Sequence, residues 1–309
     1  MVNKAYRRAR MADRTATFVL YAVAGFFLLL LAAFAIYVIS KGIASYTPKY
    51  IGFKTNGIGL ALFNTIYVVF VSLLFSVPFG ILAGIYMAEY ALPGKLTSII
   101  RTCIETLSSL PSIVVGLFGL LVFVDLTHST VSIIAGGLTL SVLNIPLITR
   151  NTEDAIRDIP DTYREGSYAL GTTKWQTIVR VLVPSCVNRI VTGIILAAGR
   201  CFGEAAALIY TTGMSGFINY NDWNPLHPRS LLSPFRPANT LSVHIWYLKS
   251  FAIMPEKDQI ANMAAALLMI LVLAFNLGAR AAGRSLERKM LGTQEKTKKS
   301  RQEGKPHGI

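Results

Sequence analysis

The chain has 309 residues, of which 53% are hydrophobic and 15% are charged. Charged residues make up about 25% of ordinary soluble domains, so the composition excludes a domain of that kind. The same apolar content excludes a disordered chain. The formal net charge is +14, but long uncharged runs separate the basic residues, which argues against a soluble nucleic-acid-binding protein. The composition indicates an integral membrane protein.

Six apolar runs are long enough to cross a bilayer, which takes about 20 residues of helix. They are Thr17–Ser40, Ala61–Ala88, Ile99–Val124, Val131–Thr149, Val187–Thr211 and Ile260–Ala282. The first run is longer than the apolar core of a secretory signal peptide, about 7–15 residues, so we expect it to be retained. Pro78, Pro111 and Pro146 lie within three of the runs and could kink them. The sequence therefore predicts an all-α integral membrane protein with six transmembrane helices.

Lys and Arg are distributed unevenly between the two sets of loops. With the N-terminus inside, the cytoplasmic segments hold 22 of the 30 Lys and Arg residues, the outer loops hold seven, and one lies within a span. Positive charge favours the cytoplasmic side, so we expect both termini in the cytoplasm. The predicted organisation is a basic N-terminus (1–16), a six-helix membrane domain (17–282) and a basic tail (283–309). We expect the tail to be disordered near anionic lipid, with its charge on Lys296, Lys298, Lys299 and Arg301.

Two of the predicted loops are long. The cytoplasmic loop covers residues 150–186, and the outer loop covers residues 212–259 and is rich in Pro, Asn and aromatic residues. The segment Leu241–Met254 of the outer loop is apolar enough to lie on the membrane surface. Trp246 and Tyr247 would then belong to the interfacial aromatic belt.

The cytoplasmic loop carries the signals of a short helix that ends at a glycine. Asp161 or Thr162 can cap the start of this helix, with Glu165 closing a capping box. Gly171 is well placed to end the helix in the left-handed conformation.

A second short helix, Lys174–Val181, is predicted to follow, capped by Thr172 or Thr173 and stopped by Pro184. Two short helices that meet at a glycine form a compact knob. Large, rigid side chains on such a knob suit the groove of a partner protein. The loop supplies three of them: Tyr163, Tyr168 and Trp175.

The same loop contains a spaced motif. Glu165-Gly166-Ser167 is followed after three residues by Gly171, and after nine more by Val181-Leu182-Val183-Pro184. This pattern resembles the EAA loop of bacterial ABC importer permeases, whose Glu-Ala-Ala, Gly and Ile-x-Leu-Pro have the same spacing. The resemblance implies the type I ABC importer permease fold and a loop that docks into an ATP-hydrolysing subunit. The alternative is a purely structural re-entrant hairpin. The residues to which the resemblance gives the coupling role are Tyr163, Glu165, Gly171, Trp175 and Pro184.

Three further stretches resemble the phosphate-specific branch of these permeases, the PstA family. They are Leu110–Phe118, Gly199–Leu208 and Asn276–Arg280. The resemblance implies a second, homologous permease subunit (PstC-like), two ATP-binding subunits (PstB-like) and an external phosphate-binding protein (PstS-like). Membrane lipid completes the expected partners.

Several chemistries have no candidate residues in this sequence. No G-x-x-x-x-G-K-[ST] phosphate-binding loop occurs, so we expect ATP hydrolysis on a separate chain. No Ser/His/Asp set, paired carboxylates or metal cluster can be assembled, and the three Cys and four His residues are dispersed. We expect a transport subunit without catalytic residues, metal, cofactor or nucleic-acid partner.

Arg200 and Glu204 are charged residues deep within the fifth apolar run. They are four residues apart, which would place them on one helix face. A charge at this depth costs about 2.5–3.5 kcal/mol on insertion scales, so it should face a partner or a water-filled path. In one interpretation the two charges neutralise each other and pin neighbouring helices. In the other, which we favour, Arg200 contacts the phosphate oxygens of the cargo and Glu204 holds the guanidinium in place.

The remaining polar and small residues of the spans favour structural roles. Glu105 is expected to pair with Arg101, four residues earlier. Asn64, Asn144 and Asn276 are more often interhelical hydrogen-bond formers than ligands. Two Gly-x-x-x-Gly pairs would permit close helix contact: Gly80 with Gly84, and Gly199 with Gly203.

Three alternatives to a phosphate importer remain open from the sequence. The first is a permease for another oxyanion, molybdate or sulfate, which Arg200 alone cannot distinguish from phosphate. The second is a secondary transporter driven by an ion gradient, which predicts further intramembrane acids and internal pseudo-symmetry, and neither is evident. The third is an intramembrane enzyme, for which no catalytic constellation is recognisable.

Overall fold

A computed structural model describes the backbone of residues 2–53, 57–214, 218–220 and 222–303. Side chains are described within these ranges except at 2–5, 7–9, 282 and 284–303. The helices are α1 (Val2–Ala44), α2 (Ile58–Ile85), α3 (Lys95–Ser109), α4 (Ser112–Leu120), α5 (Ile133–Arg157), α6 (Asp161–Ala169), α7 (Lys174–Thr177), α8 (Val183–Gly203), α9 (Ala206–Thr211), α10 (Leu241–Ser250) and α11 (Lys257–Glu303). Turns of π-helix extend α2 (Tyr86–Tyr90) and α4 (Leu121–Asp125), and a third joins α7 to α8 (Ile178–Leu182).

Five helical segments in the described chain are long and apolar enough to cross a membrane. A sixth is added if α3 and α4, which meet at a bend of 101°, count as one span. The predicted six-helix architecture is confirmed to this extent. The five straight segments are Arg10–Ala44, Ile58–Tyr90, Ile133–Arg157, Lys174–Gly203 and Lys257–Ala281.

The third predicted span, Ile99–Val124, is not a straight helix. Leu110 and Pro111 both have extended backbone angles, with ψ of 137° and 134°. Proline disfavours the helical conformation of the residue before it and cannot donate a backbone hydrogen bond. Pro111 therefore turns the chain rather than kinking it, whereas Pro78 and Pro146 lie inside the continuous helices α2 and α5.

Helices α2 and α5 run parallel and pack closely against each other. A Cβ added to Gly80 would lie 2.7 Å from Ile148 Cβ, and one added to Gly84 would lie 2.5 Å from Thr152 Cβ. The close contact predicted for this glycine pair is confirmed. In the second predicted pair, Gly199 lies beside Asn276, but a Cβ on Gly203 would meet nothing within 4 Å.

The two long loops lie at opposite ends of the bundle. One end is closed by a cluster that joins Ile85 of α2, Ile156 of α5, and Ile178 and Leu182 of the π-turn. At the opposite end, which we call the outer end, a second cluster joins the starts of α2, α10 and α11 through Ile58, Leu241 and Ile260. The end of α1 meets the start of α11 there, with Asn262 Nδ2 donating to Ser45 Oγ at 3.5 Å. The predicted location of the first of these ends in the cytoplasm stays a prediction.

The predicted cytoplasmic loop 150–186 is mostly helical. Helix α5 continues through Arg157, because Thr152 and Glu153 are buried against its neighbours. Pro184 does not stop the following helix, which runs unbroken from Lys174 to Gly203. The π-turn before it accommodates the missing donor: Val183 N donates to the carbonyl of Ile178, five residues back.

Helix α10, within the segment Leu241–Met254, buries Leu241 and Leu248 against α2 and α11. Trp246 stays 38% exposed. The predicted place of this segment at the membrane surface stays a prediction, whereas the prediction for the tail is corrected. Helix α11 continues to Glu303, so the backbone of the expected disordered tail is helical over residues 283–303. The side chains of Lys296, Lys298, Lys299 and Arg301 lie outside the described residues.

Candidate functional site

Residues 160–177 form a helical knob at the end of the bundle opposite the outer end. Helix α6 ends at Ala169, and Gly171 two residues later has a φ of 77°, the left-handed conformation predicted for it. Thr173 then caps α7 in a reciprocal capping box: Gln176 N donates to Thr173 Oγ1 at 3.3 Å, and Thr173 N donates to Gln176 Oε1 at 3.0 Å. The predicted left-handed glycine and the predicted cap are both confirmed.

The start of α6 differs from the prediction. Pro160 occupies the N-cap position and makes no side-chain cap. Glu165 is exposed and makes no capping box with Asp161 or Thr162. Asp161 Oδ1 instead accepts a hydrogen bond from Arg164 Nη1 at 3.0 Å. Its carboxylate therefore bonds to an arginine side chain and not to a backbone amide at the start of the helix.

Three hydroxyl groups tie the two helices of the knob together. Ser167 Oγ lies 2.6 Å from Thr172 Oγ1 and 2.9 Å from Thr177 Oγ1, and the two threonine oxygens are 3.0 Å apart. Ser167 and Thr177 are buried. These contacts fix the angle between α6 and α7. Sequence reasoning missed them, because spacing alone does not show that three hydroxyls on separate turns converge.

The outward face of the knob carries large apolar side chains. Leu170 is 84% exposed and Trp175 is 54% exposed. Tyr163 and Tyr168 are also exposed, and a Cβ on Gly166 would meet nothing within 4 Å. A contiguous group of exposed aromatic and aliphatic side chains on a rigid element is typical of a protein interaction site.

The inward face of the knob is anchored to the end of α2. Glu89 Oε1 accepts two hydrogen bonds from Arg164, from Nη2 at 2.7 Å and from Nε at 3.0 Å. Lys174 Nζ donates to the carbonyl oxygen of Glu89 and lies 4.6 Å from the ring centroid of Tyr90. Glu89 was not a sequence candidate. The sequence did contain one signal for it: an acidic residue directly after an apolar run lies at the end of a span, where it can pair with a basic residue of a neighbouring loop.

A second charge cluster joins α3 to α5 beside the knob. Glu153 Oε1 lies 2.6 Å from Arg101 Nη2 and 3.0 Å from Arg157 Nη2. The predicted pair of Arg101 with Glu105 is wrong, because α3 packs across α5 and brings Arg101 to Glu153. Glu105 is exposed.

Arg200 and Glu204 do not share a helix face. Helix α8 ends at Gly203, and Glu204 has an extended backbone with ψ of 121°. Glu204 Oε1 accepts from Ala207 N at 3.4 Å, while its carbonyl accepts from Ser242 Oγ at 2.7 Å. Within the described part of the chain, no ion pair joins Glu204 to Arg200.

Arg200 lies on an exposed face of α8. Most exposed residues of this face are polar: Ser185, Arg189 and Thr192 precede Arg200, although Leu196, 47% exposed, lies on the turn between Thr192 and Arg200. Gly203 completes the face at the break between α8 and α9. The fifth predicted span is therefore a polar-faced helix that is interrupted at Glu204.

The three asparagines of the spans have different partners. Asn144 of α5 donates to Ser72 Oγ of α2 at 3.2 Å and to Cys201 Sγ of α8 at 2.9 Å, as expected of an interhelical hydrogen-bond former. Asn64 donates to the carbonyl of Asn239 at 3.1 Å, so it joins α2 to the outer loop. Asn276 donates to the carbonyl of Val272 within its own helix at 2.8 Å.

No group of three or more His, Cys, Asp or Glu side chains that could hold a metal ion occurs among the described residues. The arrangement as a whole offers two features for function. One is a rigid knob with an apolar outward face, and the other is a helix with a polar face that ends at a break.

Comparisons with known proteins also find membrane components of transport systems. The family described as "Binding-protein-dependent transport system inner membrane component" matches residues 80–292. The chain is 44% identical over 288 residues to the probable ABC transporter permease protein YqgI of Bacillus subtilis (strain 168), covering 91% of this chain and 98% of that one. It is 31% identical over 229 residues to the phosphate transport system permease protein PstA of Xylella fastidiosa (strain 9a5c), covering 74% and 75%.

Two solved structures share the fold. A chain of a bacterial alginate ABC transporter, in complex with an alginate-bound periplasmic protein, superposes with a TM-score of 0.61 at 17% identity, covering 89% of this chain and 96% of that one. A chain of the inward-facing MetNI methionine ABC transporter gives a TM-score of 0.55 at 18% identity, covering 78% and 99%.

Proposed function

Because the chain belongs to the family of inner membrane components of binding-protein-dependent transport systems, we propose that it serves the import of inorganic phosphate. The family and the fold make it a multi-pass permease subunit of a type I ABC importer in the plasma membrane. It is thus a transport subunit. Membership of this family also removes the secondary-transporter alternative.

The cargo proposal is supported by the polar face of α8 and by the relatives. A permease named for phosphate transport in Xylella fastidiosa is 31% identical to this chain over 229 residues. Arg200 is exposed on α8 without an ion pair in the described residues, so its planar fork of donors is available to oxyanion oxygens. An arginine within a span is expected to face a water-filled path or another subunit rather than lipid. Glu204, at the break, sets the end of the helix that presents Arg200.

Uptake by the reconstituted importer tests the cargo. Vesicles that contain the permeases, the ATPase and the external binding protein should accumulate radiolabelled phosphate when ATP is supplied. Unlabelled phosphate should compete, whereas molybdate and sulfate should compete only at much higher concentration. If molybdate or sulfate displaces the label as well as phosphate does, the assignment to phosphate is wrong.

The partners follow the same proposal. A second, PstC-like permease would complete the path, two PstB-like ATP-binding subunits would bind beneath, and a PstS-like phosphate-binding protein would dock on the outer end. The knob is the part of this chain that we assign to the ATPase. This assignment is supported mainly by the exposure of Tyr163, Leu170 and Trp175 on an element that its own hydrogen bonds make rigid.

The geometry supports a lever mechanism. The knob is continuous with α8, because α7, the π-turn and α8 form one unbroken helix from Lys174 to Gly203. Closure of the ATPase subunits would move the knob as a rigid body, and α8 would swing with it. Since Arg200 lies on α8, this movement would change which side of the membrane the polar face is open to.

Two knob variants test the coupling role. Gly171→Pro replaces a residue at φ 77° with one restricted to about −65°, so α6 and α7 should lose their mutual angle. Trp175→Ala removes the largest exposed anchor of the knob without touching the core. Both variants should insert normally, yet phosphate uptake should fall on the order of tenfold or more while the ATPase loses its response to the binding protein.

The matched control lies outside the knob. Trp223→Ala removes a tryptophan that is 64% exposed in the predicted outer loop. It should not alter ATPase recruitment. Full transport by Gly171→Pro and Trp175→Ala would contradict the coupling role.

A further inference from the structure

We infer that Glu89 is a positioning residue that joins the movement of the knob to helix α2 through its ion pair with Arg164. This inference rests on the proposed docking of the knob to the ATPase. It adds a second route for the movement, besides the covalent one through α8.

The pair of Glu89 with Arg164 is nearly buried. The side chain of Glu89 is 6% exposed and that of Arg164 is 16% exposed. Two guanidinium nitrogens, Nε and Nη2, reach the same carboxylate oxygen at 3.0 Å and 2.7 Å. Two charge-assisted hydrogen bonds that converge on one oxygen hold the two side chains at a fixed separation, so the pair can transmit a displacement from one helix to the other.

Arg164 also holds the end of α5. Its Nη2 donates to the carbonyl of Ile156 at 3.1 Å, and its Nη1 donates to the carbonyl of Ile159 at 2.9 Å. One side chain therefore fixes α6 against the last turn of α5 and the π-turn of α2. Asp161 is its fourth partner, but this carboxylate is 85% exposed, so the contact is solvated and weak.

The second helix of the knob reaches the same turn of α2. Lys174, the first residue of α7, donates to the carbonyl of Glu89 and lies over the ring of Tyr90. Arg157 of α5 donates to the carbonyl of Met87 at 3.1 Å. The π-turn at the end of α2 is thus held from α5, α6 and α7.

Helix α2 is not adjacent to the knob in the chain, whereas α5 and α8 flank it directly. Movement of the knob reaches α2 only through packing and through this group of polar contacts. The α2–α5 seam then carries the movement along the bundle, since Gly80 and Gly84 leave no space for α2 to slip over Ile148 and Thr152. The pair of Glu89 with Arg164 makes the knob, α2 and α5 one mechanical unit.

The experiment uses the complete importer in vesicles and measures phosphate taken up per ATP hydrolysed. Glu89→Gln keeps the shape of the side chain but removes its charge, and Arg164→Lys keeps a charge but removes the planar fork. If the importer still assembles, each variant should lower the phosphate taken up per ATP on the order of tenfold. A change of this size is typical of the loss of coupling between two sites. Because Glu89 is inferred to act through Arg164, Glu89→Gln should have no added effect in a chain that already carries Arg164→Gln.

The matched control is Asp158→Asn. Asp158 pairs with Arg189 at the same end of the bundle, but both side chains are more than half exposed, so the pair is solvated. This variant should keep normal uptake per ATP.

The outcomes separate this inference from the proposed function. Normal uptake per ATP in both Glu89→Gln and Arg164→Lys would overturn the inference, and so would loss of assembly in both, which would make the pair a structural anchor. If Glu89→Gln alone fails to assemble, Arg164→Lys decides the matter by the same measure. Failure of the proposed function would appear instead as a fully active Trp175→Ala variant that still recruits the ATPase.

Discussion

At the knob end of the bundle, large apolar side chains are turned outward, whereas at the outer end the chain before α10 is folded into the protein. Leu170 and Trp175 of the knob are 84% and 54% exposed, while Arg236 and His244 at the outer end are 2% and 3% exposed. The polar contacts differ in the same way. Those of the knob attach its inner face to the bundle and leave the outer face free, whereas those of the outer end are internal to it. Substitutions at the knob should thus affect function with little effect on stability, and substitutions at the outer end should do the reverse.

Arg236 organises the buried outer end. Its Nη2 donates to Asn64 Oδ1 of α2 at 2.7 Å, and its Nε donates to the carbonyl of Leu231 at 3.0 Å. Its own carbonyl accepts from the N-terminal amide of α5, Ile133 N, at 3.1 Å. Burial lowers the pKa of Arg236 to about 10, so the side chain still carries its charge at neutral pH.

The largest effect on stability is expected from Arg236→Gln. The shorter side chain cannot reach Asn64 and the carbonyl of Leu231 together, and buried acceptors without donors cost about 1–3 kcal/mol each. We expect a loss of about 4 kcal/mol in the free energy of unfolding, measured in detergent by denaturant or heat. Arg229→Gln removes the same charge from an exposed side chain and should have almost no effect. Equal stability of the two variants would mean that the outer end does not depend on its buried arginine.

A smaller effect is expected from acid at the same end. Burial lowers the pKa of His244 to about 4. Between the ordinary histidine value of about 6.5 and about 4, the unfolded chain binds a proton that the folded chain does not, so stability falls as the pH falls through this window. Between pH 7 and pH 5 the loss should be about 2 kcal/mol.

Two substitutions locate this pH dependence. His244→Asn should make the unfolding midpoint less sensitive to pH over this interval, although it lowers stability at neutral pH. His128→Asn changes an exposed histidine whose φ of 52° asparagine tolerates, so the pH dependence should stay. An unchanged pH dependence in His244→Asn would assign the effect to other groups.

The features that could be predicted from the sequence are those that depend on local rules. Apolar length gave the spans, and backbone conformation gave the left-handed Gly171, because few other residues adopt φ of 77°. The cap at Thr173 follows from the same kind of rule. The knob could therefore be outlined before its structure was known.

The features that could not be predicted depend on contacts between distant segments. Glu89 and Arg164 are 75 residues apart, and Arg101 and Glu153 are 52 apart. Helical spacing favoured Glu105 as the partner of Arg101, but the packing of α3 against α5 brings Arg101 to Glu153 instead. Likewise, four-residue spacing placed Arg200 and Glu204 on one face, and this failed because the helix ends between them.

The smallest effect on stability, and the sharpest separation of the two ends, is expected from Leu170→Ser. Leu170 is 84% exposed and follows the last residue of α6, so its removal should change the free energy of unfolding by less than about 0.5 kcal/mol. Its apolar surface would still be lost from the docking face, and the ATPase should bind the permease more weakly in a pull-down from detergent. Ser185→Ala, an exposed change on α8 outside the knob, should leave both quantities unchanged. If Leu170→Ser instead destabilised the chain while ATPase binding persisted, the knob would be a structural element like the outer end, and the functional distinction between the two ends would not hold.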